Sequence, residues 1–111
     1  MEQNQQNYVL ELVLITLKEG TEKSLFCQAA SALSEALKAQ VPGFKKRSLM
    51  HTADESQWTD MVYWSDMKSA MAALGQLKAL PEFRSFAAMI DTREITMRHL
   101  IPALDTKEEI R

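Results

Sequence analysis

Three titratable side chains stand among apolar neighbours in segments that read as strands, and chemistry could start from them. Glu11 shares its parity with Val13, Ile15 and Leu17; Asp60 shares that of Trp58, Val62 and Trp64; His99 shares that of Ile95, Met97 and Ile101. A strand sends alternate side chains to one face, so each of the three points the same way as several large apolar groups. A carboxylate in such a setting must find a partner or lose its charge. If the strands bring these faces together, Asp60 can orient His99 through a ring N–H, and the imidazole can move a proton. Arg47 would pair with Asp60 or Glu11, according to the hairpin register. The expected site is a small pocket for an aromatic or carbonyl compound, with His99 and Asp60 catalytic and Trp64, Arg47 and Glu11 binding substrate. The same groups could instead satisfy one another as a structural network in a non-catalytic binding dimer.

Other chemistries lack their residues. His51 and His99 are the only histidines, and neither has a second ligand at helical spacing, so no metal is expected. Gly20, Gly43 and Gly75 are the only glycines, too few and too scattered for a phosphate-cradling loop, and no cofactor is expected. Cys27 falls mid-helix among apolar residues and reads as a buried, inert thiol. Lys45-Lys46-Arg47 reads as a solvated strand edge.

The elements that must position these residues follow from periodicity. Tyr8 to Leu17 is apolar on both parities, which marks a strand covered on both faces. Leu25, Phe26, Ala29, Ala30, Leu33, Leu37 and Val41 recur at helical spacing, predicting a helix over 22–40 with Thr21 as N-cap and Pro42-Gly43 as its stop. Residues 44–52 and 57–64 read as a hairpin about the polar loop Ala53-Asp54-Glu55-Ser56, with the first, more charged strand at an edge. Ser65 or Asp66 caps a second helix carrying Met67, Ala70, Met71, Leu74 and Leu77, with a weak point at Gly75. Pro81 opens a short third helix burying Phe83, Phe86, Ala87 and Ile90. A last strand spans 94–101. The ends, 1–7 and 102–111, read as polar tails around one domain, 8–101.

That order, βαββαβ, is the ferredoxin-like α+β unit: a four-stranded antiparallel sheet with helices on one face. One helical layer dries one face only, yet the first and third strands are apolar on both. The second face, carrying several of Leu10, Leu12, Leu14, Met61 and Tyr63 or else their opposite-parity counterparts, then calls for a partner, most economically a second copy of the chain in a two-fold homodimer.

Composition sets the bounds. The chain has 111 residues, 46% hydrophobic and 25% charged, as expected of one globular domain. Thirteen Lys and Arg against 15 Asp and Glu leave a formal charge of −2, without the basic excess of a nucleic-acid binder. No apolar stretch approaches the roughly 20 residues of a membrane helix. With one cysteine and no basic-then-apolar leader at Met1 to Asn7, a cytoplasmic location is expected.

Four segments then resemble a known family: Glu11-Leu-Val-Leu-Ile-Thr-Leu-Lys-Glu-Gly20, Val41-Pro-Gly-Phe44, Trp58-Thr-Asp-Met-Val-Tyr-Trp64 and Met97-Arg-His-Leu100. Together they look like the dimeric α+β barrel superfamily, and within it the antibiotic-biosynthesis-monooxygenase-like (ABM) domains. The resemblance spans about 8–101 and rests on spacing and element order. It implies a sheet-to-sheet homodimer with a pocket between sheet and helices in each subunit. Members include cofactor-free oxygenases of polycyclic aromatics, haem-degrading enzymes and proteins without known activity. The haem-degrading pattern of asparagine, tryptophan and histidine is not matched: the first strand offers Glu11, and no histidine lies between Ser65 and Ile90.

Overall fold

The computed structural model describes residues 7–106, so most of the expected N-terminal tail and residues 107–111 lie outside it. The elements run β1 (Val9–Ile15), α1 (Lys23–Gln40), β2 (Phe44–His51), β3 (Trp58–Trp64), α2 (Met67–Leu77), α3 (Pro81–Ala87) and β4 (Thr96–Leu100). The strands form one antiparallel sheet in the order β2-β3-β1-β4, the ferredoxin-like arrangement expected. Strand β2 lies at an edge as its charge suggested, and β4, five residues long, forms the other edge. Strands β1 and β4 are shorter than the runs expected for them. Leu17, expected within β1, instead bridges to Ile90, with Lys18 N–H donating to Met89 O and Asp91 N–H to Thr16 O.

Helix α1 presents Phe26, Ala30, Leu33, Ala36 and Leu37 to the sheet. Two expectations along it fail. Leu25 is about half exposed and Cys27 is exposed, because the buried stripe is centred on Phe26 and its immediate neighbours rotate away from it. The helix begins at Lys23 after Glu22, so Thr21 stands one place too early to cap it, and no side-chain cap is made. The second helix starts as expected: Asp66 accepts a 2.7 Å hydrogen bond from Ser69 N–H. Helix α2 then runs through Gly75 without a break and stops at Leu77. Gly75 is exposed, so it costs propensity there without disturbing any packing.

The stop after α1 depends on a glycine. Gly43 holds φ +86°, and a Cβ at this site would run into the Ser69 side chain in the first turn of α2. Its carbonyl accepts from Ser65 N–H at 2.8 Å. Gly43→Ala therefore adds backbone strain to a steric conflict, and we expect a loss of about 1–3 kcal/mol, read as a lower denaturant midpoint at unchanged m-value.

The core lies between sheet and helices, with Trp64 and Phe26 the largest fully buried side chains. Phe26 stacks on Phe86 at 4.8 Å and meets the edge of Trp58 at 5.1 Å. The opposite sheet face carries Leu10, Leu12, Leu14, Met61 and Tyr63, all half-buried, flanked by exposed Met50 and Leu100. No helix covers it. At its rim the Tyr8 ring lies 5.4 Å from Tyr63, and the Tyr8 hydroxyl donates to Asp105 at 2.6 Å. That bond, more than the small burial, pushes the Tyr8 phenol up to about 12. Residue 105, expected within the C-terminal tail, is thus tied back to the sheet.

Among the described residues no helix is long and apolar enough to cross a membrane.

Candidate functional site

The register decides which charges meet. One row across the sheet reads Arg47, Val62, Glu11, His99, and the next reads Leu49, Asp60, Val13, Met97. These two rows bring Glu11, Arg47, Asp60 and His99 onto the helix-facing side, and Trp64 joins them from the row Phe44, Trp64, Val9.

The position of Arg47 depends on a bulge. Phe44 pairs with Trp64, but Lys46 pairs with Tyr63, so one residue of β2 is unmatched between them. Without that extra residue, Lys46 would face Val62 and Arg47 would turn to the open face. The bulge exchanges the two, and only the guanidinium has the planar fork that suits a carboxylate. Arg47 Nε donates to Asp60 Oδ1 at 2.9 Å and Nη2 donates to Oδ2 at 2.8 Å. Nη1 donates to Ala30 O and Ser34 Oγ, and the guanidinium lies 4.8 Å from the Phe86 ring centroid. The Arg47 side chain is 3% exposed and that of Asp60 10%. Each charge is cancelled in place, and the pair joins β2, β3 and α1.

This overturns the expected Asp60–His99 contact. Both Asp60 oxygens are taken by Arg47, whereas His99 sits directly opposite Glu11. His99 Nε2 lies 3.4 Å from Glu11 Oε1, outside hydrogen-bond geometry, and has no other partner among the described residues. Trp64 Nε1 donates to the same Glu11 oxygen at 3.1 Å. Glu11 is 5% exposed. Burial pushes its carboxyl above the ordinary range, and the Asp60 charge adds to this; the Trp64 hydrogen bond and the His99 charge pull only partly against it.

Above this floor lies a cavity of about 420 Å³, within the size range of small-molecule sites. Glu11, Asp60, Arg47 and Trp64 line it from the sheet; Leu74, Leu77, Phe83 and Phe86 line it from α2 and α3. His99 is not in the lining. It stands behind Glu11 on edge strand β4, its side chain 16% exposed. The sequence missed Lys78 and Thr92, which also line the cavity. Neither carried a signal, since a lysine after a helix and a threonine in a polar loop look like solvated surface. Among the described residues no group of three or more His, Cys, Asp or Glu could hold a metal ion.

Comparison with solved structures places this architecture. A variant of SnoaB, a cofactor-independent oxygenase from Streptomyces nogalater, superposes with a TM-score of 0.71 at 19% identity, covering 92% of this chain and 99% of that one. A candidate antibiotic biosynthesis monooxygenase from Bordetella bronchiseptica gives 0.71 at 18% identity, over 89% of this chain and 100% of the other. A dimeric ferredoxin-like protein of unknown function from Jannaschia sp. gives 0.61 at 13% identity, over 84% and 97%. The chain therefore has the ABM-like, ferredoxin-like α+β fold. No family model matches the sequence, and no curated protein matches it significantly.

Proposed function

We propose that this protein is an ABM-type oxygenase that binds an electron-rich aromatic or carbonyl compound between sheet and helices and oxidises it with dioxygen, the substrate itself supplying the electrons. The observation that carries this reading is the buried Glu11 carboxyl, its proton affinity raised, on the floor of a largely apolar cavity. A carboxyl so tuned has a basicity closer to neutral pH, where general-base catalysis works best. In an anthrone-like substrate, ionised Glu11 would take a proton from the acidic CH2. The carbanion would pass an electron to dioxygen and couple with the resulting superoxide to a peroxide, which takes the proton back from Glu11 to become a hydroperoxide. Loss of the remaining C–H proton to Glu11, with cleavage of the O–O bond and departure of hydroxide, would then leave a new C=O and one water, consuming one dioxygen. Trp64 would hold the Glu11 carboxyl in position. His99 would act as a positioning residue behind it, and the Arg47–Asp60 pair would be a strut.

The test is dioxygen uptake with anthrone as probe, comparing the native chain with Glu11→Gln. For His99→Gln we expect a displaced acidic limb in the pH–rate profile, because the imidazole's charge no longer favours the ionised carboxyl. A merely structural His99 would leave the profile in place.

We further propose a homodimer through the open sheet face. Its apolar residues form one contiguous patch without a helical cover, and the dimeric Jannaschia protein has the same fold. The native chain should sediment at twice 12.6 kDa. Leu12→Glu, in the middle of that face, should yield a folded monomer with exposed apolar surface.

A further inference from the structure

We propose that the cavity is built for an anionic ligand, an aromatic acid whose carboxylate is held by Lys78 at the mouth while its rings lie against Trp64, Phe83 and Phe86. This rests on the small-molecule reading above and adds the ligand's charge. The lining contains two cations, Arg47 and Lys78, and two acids, Glu11 and Asp60. Arg47 and Asp60 cancel each other through two hydrogen bonds and leave no free charge for a ligand. Glu11 lies deep, bonded to Trp64 and facing His99. Lys78 is different. It is exposed while lining the cavity, which puts it at the opening, and no carboxylate pairs with its ammonium among the described residues.

Its backbone is fixed. Lys78 forms the C-cap of α2, and its carbonyl accepts from Arg84 Nη1 at 2.9 Å. The rest of the rim consists of Thr92, a hydroxyl donor, and the exposed apolar side chains of Ile95 and Met97. An aromatic acid entering rings first would cover Ile95 and Met97 and leave its carboxylate beside Lys78 and Thr92. A cationic ligand would meet the ammonium unscreened, and a neutral one would leave it without a counter-charge.

The experiment compares anthraquinone-2-carboxylate with its uncharged carboxamide, by calorimetry and tryptophan fluorescence, on the native chain, Lys78→Gln and Lys78→Arg. At low salt the carboxylate should bind the native chain about three- to fivefold more tightly, the range of a partly exposed ion pair, and added salt should shrink the difference. Lys78→Gln should abolish the preference while leaving carboxamide binding unchanged, and Lys78→Arg should keep it. Equal binding of the two probes to the native chain would overturn the inference and leave the cavity reading standing. So would an equal loss for both probes in Lys78→Gln. If neither probe binds, the small-molecule reading itself falls and takes this inference with it.

Discussion

Asp60→Asn should cost about 3–5 kcal/mol of stability, the largest loss we expect from any single conservative replacement in this protein. Asparagine keeps the volume but offers one acceptor where Arg47 presents two parallel donors, at 2.9 and 2.8 Å. The amide NH2 would face a guanidinium N–H, donor against donor. Arg47 keeps its charge in nearly complete burial. The cost is therefore the penalty of an uncompensated buried cation, larger than the net contribution of the pair. Equilibrium urea unfolding, monitored by tryptophan fluorescence, would measure it. A second variant separates these two quantities. Replacing both partners, Arg47→Met with Asp60→Leu, removes the desolvation problem and should recover most of the loss. If Asp60→Asn unfolds at the native midpoint, Arg47 has another counter-charge and the pair is not the strut described above.

Glu11→Gln should lower oxygenation of anthrone by about 10²–10⁴-fold, the usual contribution of a positioned general base. The same substitution should not destabilise the fold at neutral pH. Glutamine retains an oxygen to accept from Trp64 Nε1, and it removes a carboxyl that resists ionisation where it is buried. The pH dependence follows from the sign of the shift. The folded chain binds the Glu11 proton more tightly than the unfolded chain. This contribution is therefore fully present below the unfolded pKa, near 4.5, and is lost as pH rises through the higher folded value. Native stability should decline over that window, and Glu11→Gln should flatten the decline. Asp54 and Asp91 act in the opposite sense at lower pH. Each is held down to about 2, Asp54 by hydrogen bonds from Ser56 and Thr52 and Asp91 by those from Arg93, so their contributions vanish only as pH falls through that value. The two windows are separate, and a single pH–stability curve resolves them. Unchanged turnover in Glu11→Gln would remove the carboxyl from the chemistry and favour the non-catalytic binding dimer.

Much of the architecture was legible in the residues alone. Element order, the edge position of the charged strand, the two-sided apolar strands and the helical stop at Pro42-Gly43 are local properties, and local periodicity and turn chemistry encode them. The same periodicity grouped Glu11, Asp60, Trp64 and His99 with apolar neighbours on one parity of each strand, because parity needs only the strand; that this parity faces the helices was decided by packing. Helix phase was less secure. The apolar stripe took in Leu25, and Cys27 was read as a buried thiol; the packed helix turns both outward.

The pairing of the charges was decided by tertiary structure. Parity tells which face a residue occupies, but not which neighbour stands opposite, and a slip of one residue sends a whole strand to the other face. The unmatched residue between Phe44 and Lys46 gave the inner position to Arg47 rather than Lys46, and so gave Asp60 to Arg47 and left Glu11 for His99. Nothing in the amino-acid order marks that bulge. Lys78 and Thr92 reached the cavity for a similar reason: the end of α2 and the turn before β4 are distant in sequence and meet only when the helices pack on the sheet. Residue types thus specified the layers and the faces, while register and packing, which depend on contacts far apart along the chain, selected the partners.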